Sequence, residues 1–483
     1  MRMLAFDLGA SSGKMFIGDF SDGQLKLDVV KRFDNQAVNV RDELFWDALK
    51  IFEDLKGGIA DGLRIDPSIV SLGLDSYSND FGLLDADGRF LNQVHCYRDD
   101  RTKRNEERIY SIMPKEEIHH YGGNQNALFG TLMQLASMKL EKQGFLLDQA
   151  DKLLFLPDLF AYFLTGEVCS EYTISSVSQM LDFTRVDWST EILTAFNLPR
   201  HIFQKISQPG TRVGKVNGTS LDVIAVCEHD TASAFLAAPL GENSIIVSSG
   251  TWSLVGVESS TPIINDYTFS HNIANEGGYP GGHHRLLKNV MGLWLIQECQ
   301  RWYRENGNDY SIEELLSMAQ NEIAFRHLID PNDKRFFSPG GMPEKISDYC
   351  VEKKQEKLHT PGQVIRCILE SLAFQYRVVI EELQTLTERH YSRINIVGGG
   401  SNNHLLNQFV ANATGTQVVA GPSEATAIGN LLVQLLAHGE ISSVAQGRQI
   451  IQKSFKTENF DPENLSEWDD RYKHYVQMIK IEE

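Results

Sequence analysis

A chain of 483 residues is long for a single core and suits two domains of about 240 residues each. Its 42% hydrophobic and 23% charged residues describe an ordinary globular chain, in which 45 Lys plus Arg stand against 64 Asp plus Glu for a formal net charge of −19. That acidic excess argues against a nucleic-acid or anionic-membrane surface, since either requires a basic face. It leaves a nucleotide open, because phosphates are held locally by backbone N–H groups and a metal. No run of about 18 apolar residues marks a membrane span. The opening apolar stretch, Met3–Phe6, is too short for a signal segment, so a cytoplasmic protein is expected. Cys96, Cys169, Cys227, Cys299, Cys350 and Cys367 form no CxxC and no Cys/His metal spacing, which suits reduced thiols.

In chain order, an apolar strand from Leu4 breaks at Asp7 into small residues, Gly9 to Gly13, and resumes as Met15–Gly18. Asp22-Gly23 marks a hairpin turn, and the alternation of Leu25, Leu27 and Val29 predicts a third strand. A helix from about Trp46 to Leu63, a strand over Ile69–Leu74 and a hairpin around Leu83–Phe90 follow. Near the midpoint the first plan recurs: Ser244–Val257 again reads as strand, small hydroxyl-bearing loop, strand. The Pro239–Glu242 turn just before it is the expected boundary, dividing the chain into domains 1–239 and 240–483. Thr360-Pro361 opens a long helix with a hydroxyl cap and a proline at the first helical position. Ile365, Ile368, Leu369, Leu372, Tyr376, Val379, Ile380 and Leu383 keep helical spacing as far as about Thr387. A strand over Ile394–Val397 then enters Gly398-Gly-Gly400, with one helix from about Asn402 and another capped by Ser423.

The loop from Asp7 to Lys14 is no P-loop. Three residues rather than four separate Gly9 from Gly13, Met15 follows the lysine, and a strand follows instead of a helix. It reads as a hairpin phosphate clamp, with Asp7 holding Mg2+ through water and the Ser11 and Ser12 hydroxyls on phosphates. An ordinary Ser/Gly hairpin is the plainer alternative, weakened by the echo at Ser248-Ser-Gly-Thr251. At His229-Asp230 an apolar strand turns into a small-residue helix start. Asp230 there suits a helix N-cap, a general base for a sugar hydroxyl, or both. His229 leaves a metal phosphohydrolase open, although no further His or Asp ligands stand at helical spacing. Gly398–Gly400 permits close backbone approach to a flat ligand, and the helix after it favours an anionic one. Asp75-Ser-Tyr-Ser-Asn-Asp80 offers carboxylates, hydroxyls, an amide and a ring to a polyol, or forms a solvated turn.

With Tyr97-Arg-Asp99, Leu156-Pro-Asp158, Glu171-Tyr-Thr173, Asn275-Glu-Gly-Gly278, Leu287–Leu295 and Ala420-Gly-Pro422 added, the chain resembles the FGGY carbohydrate kinases nearly end to end. The resemblance implies an α/β fold of two actin-like (ribonuclease H-like) ATPase domains around a central cleft. The sugar would lie on the N-terminal side and the nucleotide on the C-terminal side. It implies phosphoryl transfer from Mg2+-ATP to O1 of a ketose, L-rhamnulose first, by a monomer or homodimer without nucleic-acid or membrane partners. By the same resemblance Ala10, Ser11, Ser12, Gly13 and Lys14 contact ATP, with Lys14 where the family has Arg. Thr251, Gln297 and Gly399 complete the nucleotide site. Ser78, Asp80, His229, Thr231 and Asn289 touch the sugar, and Asp230 is the proton acceptor. Cys350 and Cys367 match positions that can be bridged in the family. The family's Trp-Gly-Val-Asp-Phe reads Tyr77-Ser-Asn-Asp-Phe81 here, so Ser78 adds bulk where a glycine backbone contacts sugar. A related ketose such as L-fuculose or L-xylulose therefore stays open. Outside the class, the rival is an actin- or chaperone-like ATPase with no sugar acceptor.

Overall fold

Met3 to Phe6 and Leu8 are buried on both faces of β1 (Arg2–Leu8), as befits an interior strand. The turn after it returns the chain antiparallel as β2 (Ser12–Ser21), and β3 (Gln24–Asp34) pairs beyond. α1 (Ala48–Ile65) starts later than expected because Trp46 is held in a short strand, Glu43–Trp46, and Asp47 caps the helix by accepting the Lys50 N–H at 3.0 Å. β4 (Ser71–Ser76) lies parallel to β1 on its free side. With β5 (Arg212–Lys215) and β6 (Asp222–Ile224) it completes a six-stranded sheet of order β5-β6-β4-β1-β2-β3. Ile51, Leu55 and Ile59 of α1 join Leu4, Phe6, Met15, Leu72 and Leu74 in one core. Each such burial contributes about 1.5–3 kcal/mol. α2 (Asp230–Leu236) follows the strand-end turn at His229.

This computed structural model describes residues 1–239 and 241–480. Leu240, at the expected boundary, and residues 481–483, at the end of the expected second domain, lie outside the described residues.

The midpoint repeats the opening plan. β7 (Ile245–Ser249) pairs antiparallel with β8 (Trp252–Ser259) and parallel with β10 (Arg393–Val397), as β1 does with β2 and β4. Beyond β10, β11 (Gln417–Ala420) is parallel and β12 (Glu458–Phe460) antiparallel, matching β6 and β5. With β9 (His284–Met291), these strands run β9-β8-β7-β10-β11-β12 within a seven-stranded sheet. α3 (Pro361–Thr387) has its expected bounds, and Thr360 Oγ1 accepts the Gln363 N–H at 3.1 Å as its cap. α4 (His404–Thr414) begins after a 3-10 turn at Gly399–Asn402, and Asn403 is its cap.

The two compact units are discontinuous. One comprises Met1–Gly241, Glu258–Leu286 and Ala425–Ser454; the other comprises Glu242–Val257, Leu287–Glu424 and the chain from Phe455 onward. The continuous halves expected from the sequence differ from them in the two returning segments. The physical reason lies in α5 (Ala425–Ala437). Its Gln434 Nε2 donates to Leu4 O at 2.8 Å, while Ser71 Oγ donates to Gln434 Oε1 at 2.7 Å. Farther along, Arg448 donates to Glu258 at 2.7 Å and to the Phe235 carbonyl at 3.4 Å. Among the described residues no helix is long and apolar enough to cross a membrane. All six cysteines are buried free thiols, Cys350 and Cys367 included.

Candidate active site

The Gly9–Ser11 loop is closed by its own backbone. Gly9 N–H donates to Ser12 O at 2.9 Å, and Asn35 donates through N–H to Ser11 O and through Nδ2 to Gly9 O. Ala10 and Lys14 are half-buried and Gly13 is buried, whereas Ser11 and Ser12 are exposed. Asp7 stands in register with Asp75 on the neighbouring strand. Asp75 is buried; Asn430 Nδ2 donates to its Oδ2 at 2.6 Å, and its Oδ1 has no hydrogen-bond partner. Burial first, then the charge of Asp7 and more weakly that of Asp230, push the Asp75 carboxyl well above its ordinary value. The Asn430 N–H works in the opposite direction.

His229 occupies the N-cap position of α2, so Asp230 is its first helical residue and not the cap. The turn is held from Glu171-Tyr-Thr173. Glu228 N–H donates to Glu171 Oε2 at 3.3 Å, His229 N–H donates to Thr173 Oγ1 at 3.2 Å, and the Thr173 hydroxyl donates to Glu171 at 2.6 Å. Burial pushes the Glu171 carboxyl up to about 7 against these donors. Asp230 Oδ1 accepts the Thr231 N–H at 2.6 Å and its hydroxyl at 3.1 Å, and His229 Nε2 faces the same oxygen at 3.4 Å. Among the described residues no hydrogen bond falls on Oδ2. The side chain is 31% exposed, yet desolvation by the surrounding chain raises its carboxyl above the usual value, opposed by His229 and Thr231. This leaves a carboxylate with one oxygen anchored and the other open to take a proton.

Behind His229 sits a group that no local pattern announced. Arg285 on β9 is buried, 2.9 Å from Glu276 Oε2 and 3.1 Å from His229 Nδ1, and its Nε donates to Gly277 O at 2.8 Å. Burial works upward on Glu276, but Arg285 and then His229 hold its carboxyl below the usual range.

Asp80 is buried and saturated by its own fold. Trp46 Nε1 donates to Oδ2 at 2.6 Å, Tyr97 N–H to the same oxygen at 3.1 Å, and Gln134 Nε2 to Oδ1 at 2.8 Å. Trp46, Tyr77, Tyr97 and Phe129 form a chain of ring contacts with centroids 5.0, 5.9 and 6.1 Å apart. Ser78 is half-buried and accepts from Asn79 Nδ2 at 2.8 Å; Asn79 itself has φ +79°, a left-handed conformation.

In the second unit, Thr251 at the β7–β8 turn donates from Oγ1 to Gln297 Oε1 at 3.5 Å, and Gln297 is exposed. The turn rests on the next segment, with Leu293 N–H donating to Gly250 O and Trp294 N–H to Thr251 O. Gly398 has φ +83°, and a Cβ on Gly400 would lie 2.0 Å from Ser249 Oγ, so the glycines let this loop lie against the β7 end. Gly399 is exposed with open space at its Cβ position. The unit thus gathers Thr251, Gln297 and the glycine loop around the C-terminal ends of β7 and β10. Asn289 is half-buried on β9. Among the described residues no cluster of three or more His, Cys, Asp or Glu forms a metal cage.

Residues 2–236 match the model of the N-terminal domain of the FGGY family of carbohydrate kinases, and residues 245–438 match that of its C-terminal domain. The chain belongs to the FGGY family of carbohydrate kinases. As a member it is a sugar kinase that uses ATP. A rhamnulokinase of Bacteroides thetaiotaomicron is 39% identical over 99% of each chain. One of Oceanobacillus iheyensis is 37% identical over 94% of this chain and 96% of its own. Among solved structures, a ligand-bound xylulose kinase from Lactobacillus acidophilus superposes with a TM-score of 0.83 at 16% identity, covering 99% of this chain and 98% of that one. The expected two-domain α/β fold is thus the fold of this FGGY kinase, and its mixed sheets are those described above.

Proposed function

We propose that this kinase transfers the γ-phosphoryl group of ATP to O1 of a ketose, L-rhamnulose first, in the cytoplasm and as a monomer or homodimer. The observation that carries the reading is Asp230, whose Oδ1 is engaged by Thr231 and faced by His229 while Oδ2 is left to accept the hydroxyl proton. Rhamnulokinases 37–39% identical across nearly the whole chain support L-rhamnulose as the acceptor. In this reading His229, Thr231, Ser78 and Asn289 hold sugar hydroxyls. Asp80 acts indirectly, by fixing Trp46 and Tyr97. Thr251, Gln297 and Gly399 hold the nucleotide, and Ala10 to Lys14 take its phosphates.

The donor set fits Mg2+. Asp7 and Asp75 offer hard carboxylate oxygens in register, and Asp75 Oδ1 carries no hydrogen bond, which suits an ion that keeps several of its waters. Mg2+ when bound would neutralise charge on the phosphates. Asp7 is the residue proposed to hold it, through water. The chain's own part is to orient the acceptor and take its proton at Asp230 Oδ2.

One observation favours a second acceptor. Ser78 and Asn79 put a hydroxyl and an amide, hydrogen-bonded to each other, where the family's pattern has Gly and Val. A site that hydrogen-bonds hydroxyls discriminates sharply by their placement, so L-fuculose or L-xylulose is the alternative. ADP release measured over L-rhamnulose, L-fuculose and L-xylulose decides, with the highest kcat/KM expected for L-rhamnulose. Stimulation by no sugar would favour a bare ATPase. Asp230→Asn is expected to lower kcat on the order of 10²–10⁴-fold with ATP binding kept, and near wild-type turnover would remove Asp230 from the role of base.

A further inference from the structure

We propose that Arg285 is a positioning residue that fixes the tautomer of His229 and thereby presents an N–H to Asp230. A guanidinium only donates hydrogen bonds. Arg285 lies 3.1 Å from His229 Nδ1, so that nitrogen must offer its lone pair and the ring proton must sit on Nε2. Nε2 is the atom that faces Asp230 Oδ1 at 3.4 Å. The chain of contacts therefore runs from Arg285 through the imidazole to the anchored oxygen of the base, and orients Oδ2 toward the acceptor.

Glu276 is the competing influence. Its Oε2 stands 3.4 Å from Nδ1 and would draw the proton to that nitrogen. The distances decide against it: Arg285 is nearer to both groups, 2.9 Å from Glu276 and 3.1 Å from Nδ1, and neutralises the carboxylate before the ring can. Arg285 is itself held by Gly277 O, and its guanidinium lies 5.5 Å from the Phe235 ring centroid on α2, the helix that Asp230 begins. With Arg285 removed, the ring would turn its Nδ1–H to Glu276 and its lone pair to Asp230, so the base would lose a donor and gain a repulsion.

The inference rests on Asp230 being the base, so its test begins with a readout that needs no substrate. Protein labelled with 15N-histidine, with the His229 signals assigned by their loss in His229→Asn, is expected to show the Nε2–H form. Arg285→Met should convert it to the Nδ1–H form and lower kcat about 10- to 100-fold, the equivalent of one charge-assisted hydrogen bond, with the KM for ATP unchanged. Adding Glu276→Gln to Arg285→Met supplies an amide donor to Nδ1; it should restore the Nε2–H form and most of the lost kcat. Arg285→Ala, which also removes every donor to Nδ1 and the charge beside Glu276, serves if the Met variant fails to fold, and the same loss of the Nε2–H form is expected. Retention of the Nε2–H form without Arg285 overturns the proposal, as does a double variant that regains thermal stability but no kcat. A correct tautomer response together with an active Asp230→Asn enzyme would instead leave the relay standing and remove the base.

Discussion

Asp80 and Asp230 are both acidic residues of the sugar side by resemblance, and their surroundings separate them. Asp80 carries N–H donors from Trp46, Tyr97 and Gln134, whereas among the described residues no donor reaches Asp230 Oδ2. Asp80→Asn would turn an amide N–H2 against one of those donors, and a loss of about 1–3 kcal/mol is expected in urea unfolding. Burial pushes Asp80 up to about 7, outweighing its three donors. In the fold it therefore holds a proton up to about pH 7, but in the unfolded chain only to about pH 4. The unfolded state binds fewer protons across that window, so the stability contributed by Asp80 falls as pH rises from about 4 to about 7 and is level above. The gap between wild type and Asp80→Asn should accordingly widen as pH is lowered from 7 to 5; a gap independent of pH would contradict it. The strand-end turn at His229-Asp230 was legible because an apolar run gave way to Glu228, His229 and Asp230. Arg285 was not, since an arginine in a strand gives no hint that its partner stands 56 residues away.

At the level of elements, what could be read were patterns local to one segment. Thr360-Pro361 announces α3 by cap chemistry, and hydroxyl-rich turns at two places announced the repeated hairpins. What could not be read was which helix lies against which sheet. α5 crosses α2 so closely that a Cβ on Gly429 would lie 1.9 Å from the Ser233 carbonyl oxygen. That contact requires the absence of a side chain and cannot be relieved by a rotamer change, because the obstacle is backbone. Gly429→Ala is expected to cost about 1–3 kcal/mol by overpacking. It should also lower kcat, because the displaced helix begins at Asp230. Unchanged thermal midpoint and kcat would show that the helices part without consequence.

For the whole molecule, the chain changes unit after residues 241, 257, 286, 424 and 454. A fragment of residues 1–241 thus lacks α5 and the segment that holds Arg285 and Glu276. Expressed alone, it is expected to unfold without a sharp transition and to bind a hydrophobic dye, while fusion of residues 425–454 should restore cooperativity. A sharp transition in the short fragment would mean that β1 and β4 need no helix from the far end of the sequence.

That connectivity also sets an order of events during biosynthesis. The first sheet leaves the ribosome early, but Asn430 and Gln434, the partners of Asp75, Leu4 and Ser71, emerge only after much of the second unit. At translation rates of about 5–20 residues per second, the uncovered sheet waits on the order of ten seconds or more. During that interval its apolar strands are a surface for chaperones or for other nascent chains, and the site around Asp230 can be finished only once Asn430 and Gln434 have emerged.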